Sequence, residues 1–524
     1  MKGLQSFNGN FGRRELLHLL RRSLFAVSAD DLAAFDGKSL QAVVDQLVSP
    51  IEFDQPLPVN DYDQVGISGV PYGRPWIGAP YQNADDDGQR IGSFRKWSLG
   101  VMINQDRSLR EKMSLFWHNH FSTQVSIAQS ELIWKHFGLL RSSALGNFKK
   151  LCRAITIDPH MLRFLNGELN TALAPNENYG RELQELFCIG KGPNGNYKES
   201  DVKEAARVLT GWKVDLKTAT AVFHPEEHDT SDKKFSSFYN NCIIRGRKGP
   251  EGGPQELDDL LDMIFRNNET ANFICRKIYR WFVNDLIDDK IEAEVIRPLA
   301  DLLIKENYEI RPVLRKLLTS EHFFDPEFRG SQFKSPLEFA LGIQREFAVT
   351  SNLHADHAVQ YSMLQMLAET TAEMGQLYGE PPNVAGWPAY YQAPAFYELW
   401  INSSTLPKRN EFSSTLVDFG FNREGRTFSI DVIKFARSLR NPEDPGKLIS
   451  ESLERLIALQ IPGERLPELK KQILLTGQDQ DHYWTDAWKE YLASPNDPGK
   501  RNIIETRLKK LYRYILNTPE YQLN

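Results

Sequence analysis

The chain has 524 residues, 41% of them hydrophobic and 25% charged, with 63 Lys and Arg against 69 Asp and Glu for a formal net charge of −6. This is an ordinary globular composition, long enough to bury a sizeable core without staples. It excludes a disordered chain and a large non-specific nucleic-acid surface, and no apolar run approaches the roughly 18 residues that a spanning helix needs. The four cysteines, Cys152, Cys188, Cys242 and Cys275, form no CxxC pair, so buried thiols are expected in place of a zinc ribbon or disulfide framework. Met1 to Asn8 lack an apolar h-region, so no cleaved secretory signal is expected in this chain, which would stay inside or leave with a partner.

Helical spacing of apolar residues begins at 14–25 and continues over 30–48. From about 50 to 92 the prolines, glycines and Asp85-Asp86-Asp87-Gly88 predict a long irregular loop, held down by Tyr62, Tyr72, Trp76 and Tyr81. A helix is predicted at 94–104. Ser108 with Glu111 predicts a capping box opening a helix over 109–120. Further helices are expected at 179–189, stopped by Gly190, and at 201–210, with Ser200 as cap, a Val202, Ala205, Ala206, Leu209 stripe, and Gly211 as stop. Residues 213–253 read as the least helical stretch, with a short strand near 242–245. The helical pattern returns at 256–265, 271–283, 291–306, 311–319, 337–349 and 358–378, and resumes after about 428. The predicted class is all-α: a large multi-helix domain with long irregular loops and few or no short strands. Residues 1–410 form its main helical domain, with loop insertions near 50–92 and 213–253. Residues 411–524 form a C-terminal helical part packed on it.

Three clusters can carry chemistry. In Trp117-His118-Asn119-His120-Phe121 the imidazoles suit a transition metal. On a regular helix i and i+2 point about 200° apart, so both reach one ion only if the helix ends there. The alternative is a C-terminal cap at His120 with His118 held by a buried partner. In Asn176-Glu177-Asn178-Tyr179-Gly180-Arg181-Glu182-Leu183-Gln184-Glu185, Glu182 and Glu185 share a helix face and suit metal binding or acid–base work; the alternative is a solvated face with an Arg181–Glu185 ion pair. His224-Pro225-Glu226-Glu227-His228-Asp229 is no zincin motif, because Pro225 breaks the register. Its His228-Asp229 pair resembles those of metal-dependent phosphoester hydrolases, and Lys233 and Lys234 beside it suit an oxyanion. The chain has no Walker A loop, no GxGxxG after a strand, no GxSxG elbow and no EF-hand loop.

His18-Leu19-Leu20-Arg21-Arg22, Leu115-Phe116-Trp117-His118-Asn119-His120-Phe121, the run from Asn176 to Phe187, Leu209-Thr210-Gly211-Trp212, His228-Asp229 and Pro381-Pro382-Asn383-Val384-Ala385-Gly386-Trp387 occur in this order. Together they resemble the bacterial "domain of unknown function 1800" family over roughly residues 14–410. After His228-Asp229 the chain departs from the family's commoner Lys-plus-Gly form, with Lys233-Lys234 followed by Phe-Ser-Ser. The resemblance implies a partner from the "domain of unknown function 1501" family, which is similar to the alkaline-phosphatase and sulfatase superfamily. That in turn implies action on phosphorylated or sulfated material at the envelope.

Two functions follow as expectations. In the first, the chain is a metal-dependent, hydrolase-like enzyme. His118, His120, Glu177 and His228 hold a divalent or transition metal, Glu182, Glu185 and Asp229 are catalytic, and Arg181, Lys233, Lys234, Trp212 and Trp387 contact substrate. The metal would lower the pKa of a bound water. In the second, the chain is a helical scaffold for a secreted partner or a polysaccharide, working through the aromatic loop 62–81 and residues 381–387.

Overall fold

The computed structural model describes residues 3–49, 56–349, 357–460, 463 and 465–524. The fold is mostly helical, 57% helix with three short two-stranded sheets among the described residues. The first helix, Arg13–Ser23, buries Leu16, Leu17, Leu19 and Leu20 on its apolar stripe. The same helix buries His18 and Arg22 of the first motif, which bond the carbonyl oxygens of Phe323 at 3.0 Å and Phe328 at 2.7 Å. The stretch predicted as one helix over 30–48 breaks at Gly37, whose φ is +69°. It forms Ala29–Phe35 and Leu40–Leu47, capped by the hydroxyls of Ser28 and Ser39.

The irregular segment is shorter than its composition suggested, and residues 50–55 of it lie outside the described residues. A helix runs Ala84–Ile103, beginning ten residues before the predicted start. Asn83 caps it by accepting from the backbone N–H of Asp86 at 2.9 Å. The acidic run 85–87 occupies its first turn, where the helix dipole favours negative charge. Charges that read as loop are therefore a helix start.

Arg110–His120 is the central helix, buried at every residue, and it packs beside Ser130–Ser142. A helix apolar or buried all round belongs to the core. The helix predicted at 179–189 is Glu177–Glu182 running into a π-helical turn, Leu183–Cys188. It packs on Glu199–Val208 so closely that a Cβ at Gly180 would meet Ala206 N at 3.0 Å. The cap of Glu199–Val208 is Lys198, whose N–H is taken by the Asp201 carboxylate at 2.7 Å; Ser200 lies inside the helix. Trp212–Asp215 pairs antiparallel with Thr220–Phe223, and Lys233–Lys234 with Ile243–Ile244. Asn268–Phe282 packs beside the π-helical turn.

One apolar cluster is continuous from Leu4 to Tyr521. The C-terminal helices join it through Phe347 on Phe435, with ring centres 4.5 Å apart, and through Tyr521, whose hydroxyl donates to Glu346 at 2.6 Å. No helix among the described residues is long and apolar enough to cross a membrane. All four cysteines are free thiols.

Candidate functional site

His118, Asn119 and His120 diverge as a straight helix requires. His118 is fully buried in an aromatic box, with ring centres of Phe137 at 4.7 Å and of Tyr378 and Trp387 at 5.4 Å. Burial, reinforced by His136 and His160, holds its pKa well below the usual imidazole range, so it is neutral. Asn119 Oδ1 accepts from Trp387 N at 2.9 Å and so ties the 381–387 loop to the helix end. Gly386, with φ +94°, makes this approach possible, because a Cβ there would collide with the Asn119 amide and meet its carbonyl oxygen at 2.7 Å. Gly386→Ala is expected to cost at least about 1–3 kcal/mol in backbone strain alone, read as a lower urea midpoint. An unchanged midpoint would mean that this loop does not rest on Asn119.

His120 faces the other way, toward Asn268–Phe282. Its Nε2 and the Phe187 carbonyl oxygen are 3.0 Å apart, which assigns the proton to Nε2 and leaves Nδ1 as an acceptor. Lys277 Nζ donates to that Nδ1 and to the Leu186 carbonyl oxygen, both at 3.2 Å. The π-turn is what frees these carbonyls: Leu186 and Phe187 lie at its end, where the backbone acceptors are left for outside donors. The motif around Glu182 and Glu185 thus supplies main-chain oxygens to the site. Burial, with Arg280 adding to it, pushes Lys277 down to about 7. A neutral amine has two N–H bonds, and both are engaged here, so its lone pair is left for a third direction.

That direction holds a cavity of about 340 Å³, bordered by His120, Glu185, Lys277, Arg280, Trp281 and Ala385, with Phe116, Tyr390 and Tyr397 in its walls. Another cavity, about 470 Å³, lies at Phe94, Trp97 and Trp134. Of the cations there, Arg110 is engaged by Asp106, Arg141 by Glu111 at 2.6 Å and Lys135 by the Thr218 carbonyl oxygen at 2.7 Å, while Arg311 makes no ion pair among the described residues. The smaller cavity is the site, because it combines converging polar groups with a strongly perturbed lysine.

The other expected residues fall in separate neighbourhoods. Glu185 pairs with Lys191 at the cavity rim, and Glu182 lies beside it, its pKa raised by burial and then by the Glu185 charge. Glu177 and Arg181 are on the surface with Glu199; Arg181 Nη1 reaches Glu199 at 2.9 Å and Nη2 reaches Glu177 at 3.2 Å. The ion pair of Arg181 is therefore not with Glu185. His228 is buried beneath Thr210, with Nδ1 3.0 Å from the Thr210 carbonyl oxygen and Nε2 3.2 Å from Glu256. Asp229 accepts from Arg207 at 2.7 Å, and although burial pushes its pKa up, the Arg207 and Ser231 hydrogen bonds hold it well below the carboxylate range. Lys233 is wholly buried on Glu256 and the Asp229 carbonyl, while Lys234 is exposed at the strand edge. Trp212 packs on Phe223, ring centres 5.3 Å apart, and is 6% exposed; Trp387 is 2% exposed. Of the seven acids and imidazoles read as one cluster, only His120 and Glu185 border the same cavity. Among the described residues no group of three or more His, Cys, Asp or Glu side chains is placed to hold a metal ion together.

Lys277 and Arg280 escaped the sequence reading. The signal was present: Phe273, Lys277 and Trp281 recur at i, i+4 and i+8, which puts a lysine on an otherwise apolar face.

Residues 18–523 match the family described as "Protein of unknown function (DUF1800)". No curated protein and no solved structure matches the chain.

Proposed function

The chain belongs to the DUF1800 family over nearly its whole length, and from that premise we propose that it is a hydrolase-like enzyme acting on envelope or extracellular carbohydrate material in the cavity at Lys277. The single observation behind this reading is the amine of Lys277, held by two acceptors beside an aromatic-walled cavity, its pKa brought to about 7. A neutral amine at physiological pH is a competent general base, and burial beside a second cation is the ordinary way to obtain one. In this reading Lys277 takes one proton from a water whose oxygen bonds to the substrate's electrophilic centre, the bond to the leaving oxygen breaks, and the Lys277 ammonium returns the proton to that oxygen. His120 is a positioning residue, since it touches the amine and not the substrate. Tyr391, the exposed aromatic among the residues lining the cavity, offers a face on which a sugar ring can rest. The metal reading has the weaker support, because His120, Glu177 and His228 have the local partners described above, and His118, whose ring nitrogens have no hydrogen-bond partner among the described residues, stands apart from them in its aromatic box.

The experiment is a screen of the purified protein against chromogenic glycosides and phosphate and sulfate esters, with Lys277→Met beside it. Turnover by the wild type that the variant lacks supports the reading; turnover equal in both sinks it. A second reading, a carrier for a secreted partner, draws on Val65 and Ile67, which are 85% and 83% exposed at the tip of the 62–81 loop. Large exposed apolar side chains at a loop tip suit a protein partner. Trp76 in the same loop is buried, so stacking on a polysaccharide has less support there.

A further inference from the structure

Arg280 borders the cavity with no carboxylate at ion-pairing distance among the described residues, the charges of Asp285 and Glu292 reaching it only from farther off. Lys277 bonds only an imidazole nitrogen and a carbonyl oxygen. Arg280 spends its Nε on the Asp285 carbonyl oxygen at 3.2 Å and lies over the Phe396 ring at 5.2 Å. Among the described residues neither of its terminal nitrogens makes a hydrogen bond or an ion pair. The acid of the same cavity, Glu185, is already taken by Lys191 at the rim. Everything else in the wall is aromatic, backbone or neutral: Phe116, Trp281, Tyr390, Tyr397 and the neutral His120.

Surplus positive charge in a partly desolvated place is costly unless something compensates it. Surface cations meet this cost with water, and the buried arginines elsewhere in this chain meet it with acceptors. Arg345, for example, holds Asp31 at 2.7 Å. Arg280 keeps the fork of its guanidinium uncommitted at a cavity wall, and a planar pair of N–H donors matches two oxygens of one oxyanion.

We infer that the Arg280 guanidinium forms an oxyanion subsite beside the Lys277 amine, and that the ligand of this cavity carries a sulfate, phosphate or carboxylate group. The inference rests on the reading of this cavity as the working site and narrows its substrate from carbohydrate in general to acidic carbohydrate. Arg280 would anchor the charged substituent while Tyr391 meets the apolar face of the ring. The same chemistry admits a free inorganic oxyanion, which the test separates from a sugar-borne one.

Binding is measured by titration calorimetry on the intact protein with four probes: inorganic sulfate, inorganic phosphate, glucuronic acid and neutral glucose. Glucuronic acid is expected to bind saturably and more than tenfold tighter than glucose, with Arg280→Met losing that preference and Arg280→Lys keeping part of it. Sulfate or phosphate binding as tight as that of the acidic sugar would identify a free-anion site, and would overturn the sugar-borne group while keeping the subsite. No saturable binding of any anion, or binding unchanged in Arg280→Met, overturns the subsite itself. Far-ultraviolet circular dichroism and the thermal midpoint confirm that each variant is folded. Binding is read without turnover, so hydrolysis lost with Lys277→Met but no anion binding would defeat this inference alone. Anion binding without any hydrolysis would instead defeat the enzymatic reading and leave the subsite standing.

Discussion

Lys277→Met is expected to lower turnover by a factor of about 10²–10⁴, the range that a positioned general base supplies. Methionine keeps an unbranched apolar stem of nearly the same length and removes the basic nitrogen, which lies 5.0 Å from the centre of the Phe273 ring. In the wild type, kcat/KM should rise with pH through about 7 as the amine loses its proton, then level off. The same lowering fixes the sign of a stability effect. The folded lysine titrates near 7 and the unfolded one at its ordinary value of 10.5. Between these limits the unfolded chain binds more protons, so this group makes stability rise with pH across that window, and its cost is fully present below about 7. Thermal midpoints of wild type and Lys277→Met, followed from about pH 6 to about pH 10, should therefore diverge in favour of the wild type as pH rises. Curves that stay parallel would mean the lysine is not perturbed, and the catalytic assignment would lose its basis.

Glu256→Leu should be among the most destabilising substitutions in the 213–253 neighbourhood. The Glu256 side chain is fully buried and accepts from Lys233 and from Arg247 N at 2.6 Å, with His228 Nε2 3.2 Å away. Removing the carboxylate strands the buried Lys233 ammonium, a change that costs about 3–5 kcal/mol when one partner of a buried pair is lost. The double variant Glu256→Leu with Lys233→Met removes both charges and should recover much of that loss, since a buried pair contributes little beyond an apolar replacement of similar volume. Denaturation midpoints of the single and double variants check this. A double variant no better than the single one would show that Lys233 is not stranded by the loss of Glu256. The same variants bear on substrate contact, because Lys233 is wholly buried on Glu256 and the Asp229 carbonyl oxygen and meets no outside phosphate unless the pair opens.

The helical class was legible because the apolar stripes of 14–25, 201–210 and 256–265 repeat at the helical period, a local property of the string. Boundaries failed where local signals have two meanings. The acids 85–87 read as loop and proved to be the first turn of a helix, because a dipole is favoured by the same charges that solvate a loop. The motifs were legible as strings, and the resemblance they carried agrees with the family match. Their roles were not legible. In His118-Asn119-His120 the periodicity of the helix already stated that the two imidazoles part company, yet only packing decides what each one meets. For His118 it is an aromatic box, for Asn119 the Trp387 amide, for His120 the lysine. In the stretch from Asn176 to Phe187 the carboxylates attracted attention because side chains are what a sequence displays. The π-turn made the Leu186 and Phe187 carbonyls into the site's contribution, and backbone geometry is invisible in a string of side chains. By itself, then, the sequence determined where helices form and which segments belong together. The tertiary structure decided which polar groups meet, because that depends on distances between elements more than a hundred residues apart, as between His120 and Lys277, and chain order carries no record of those distances.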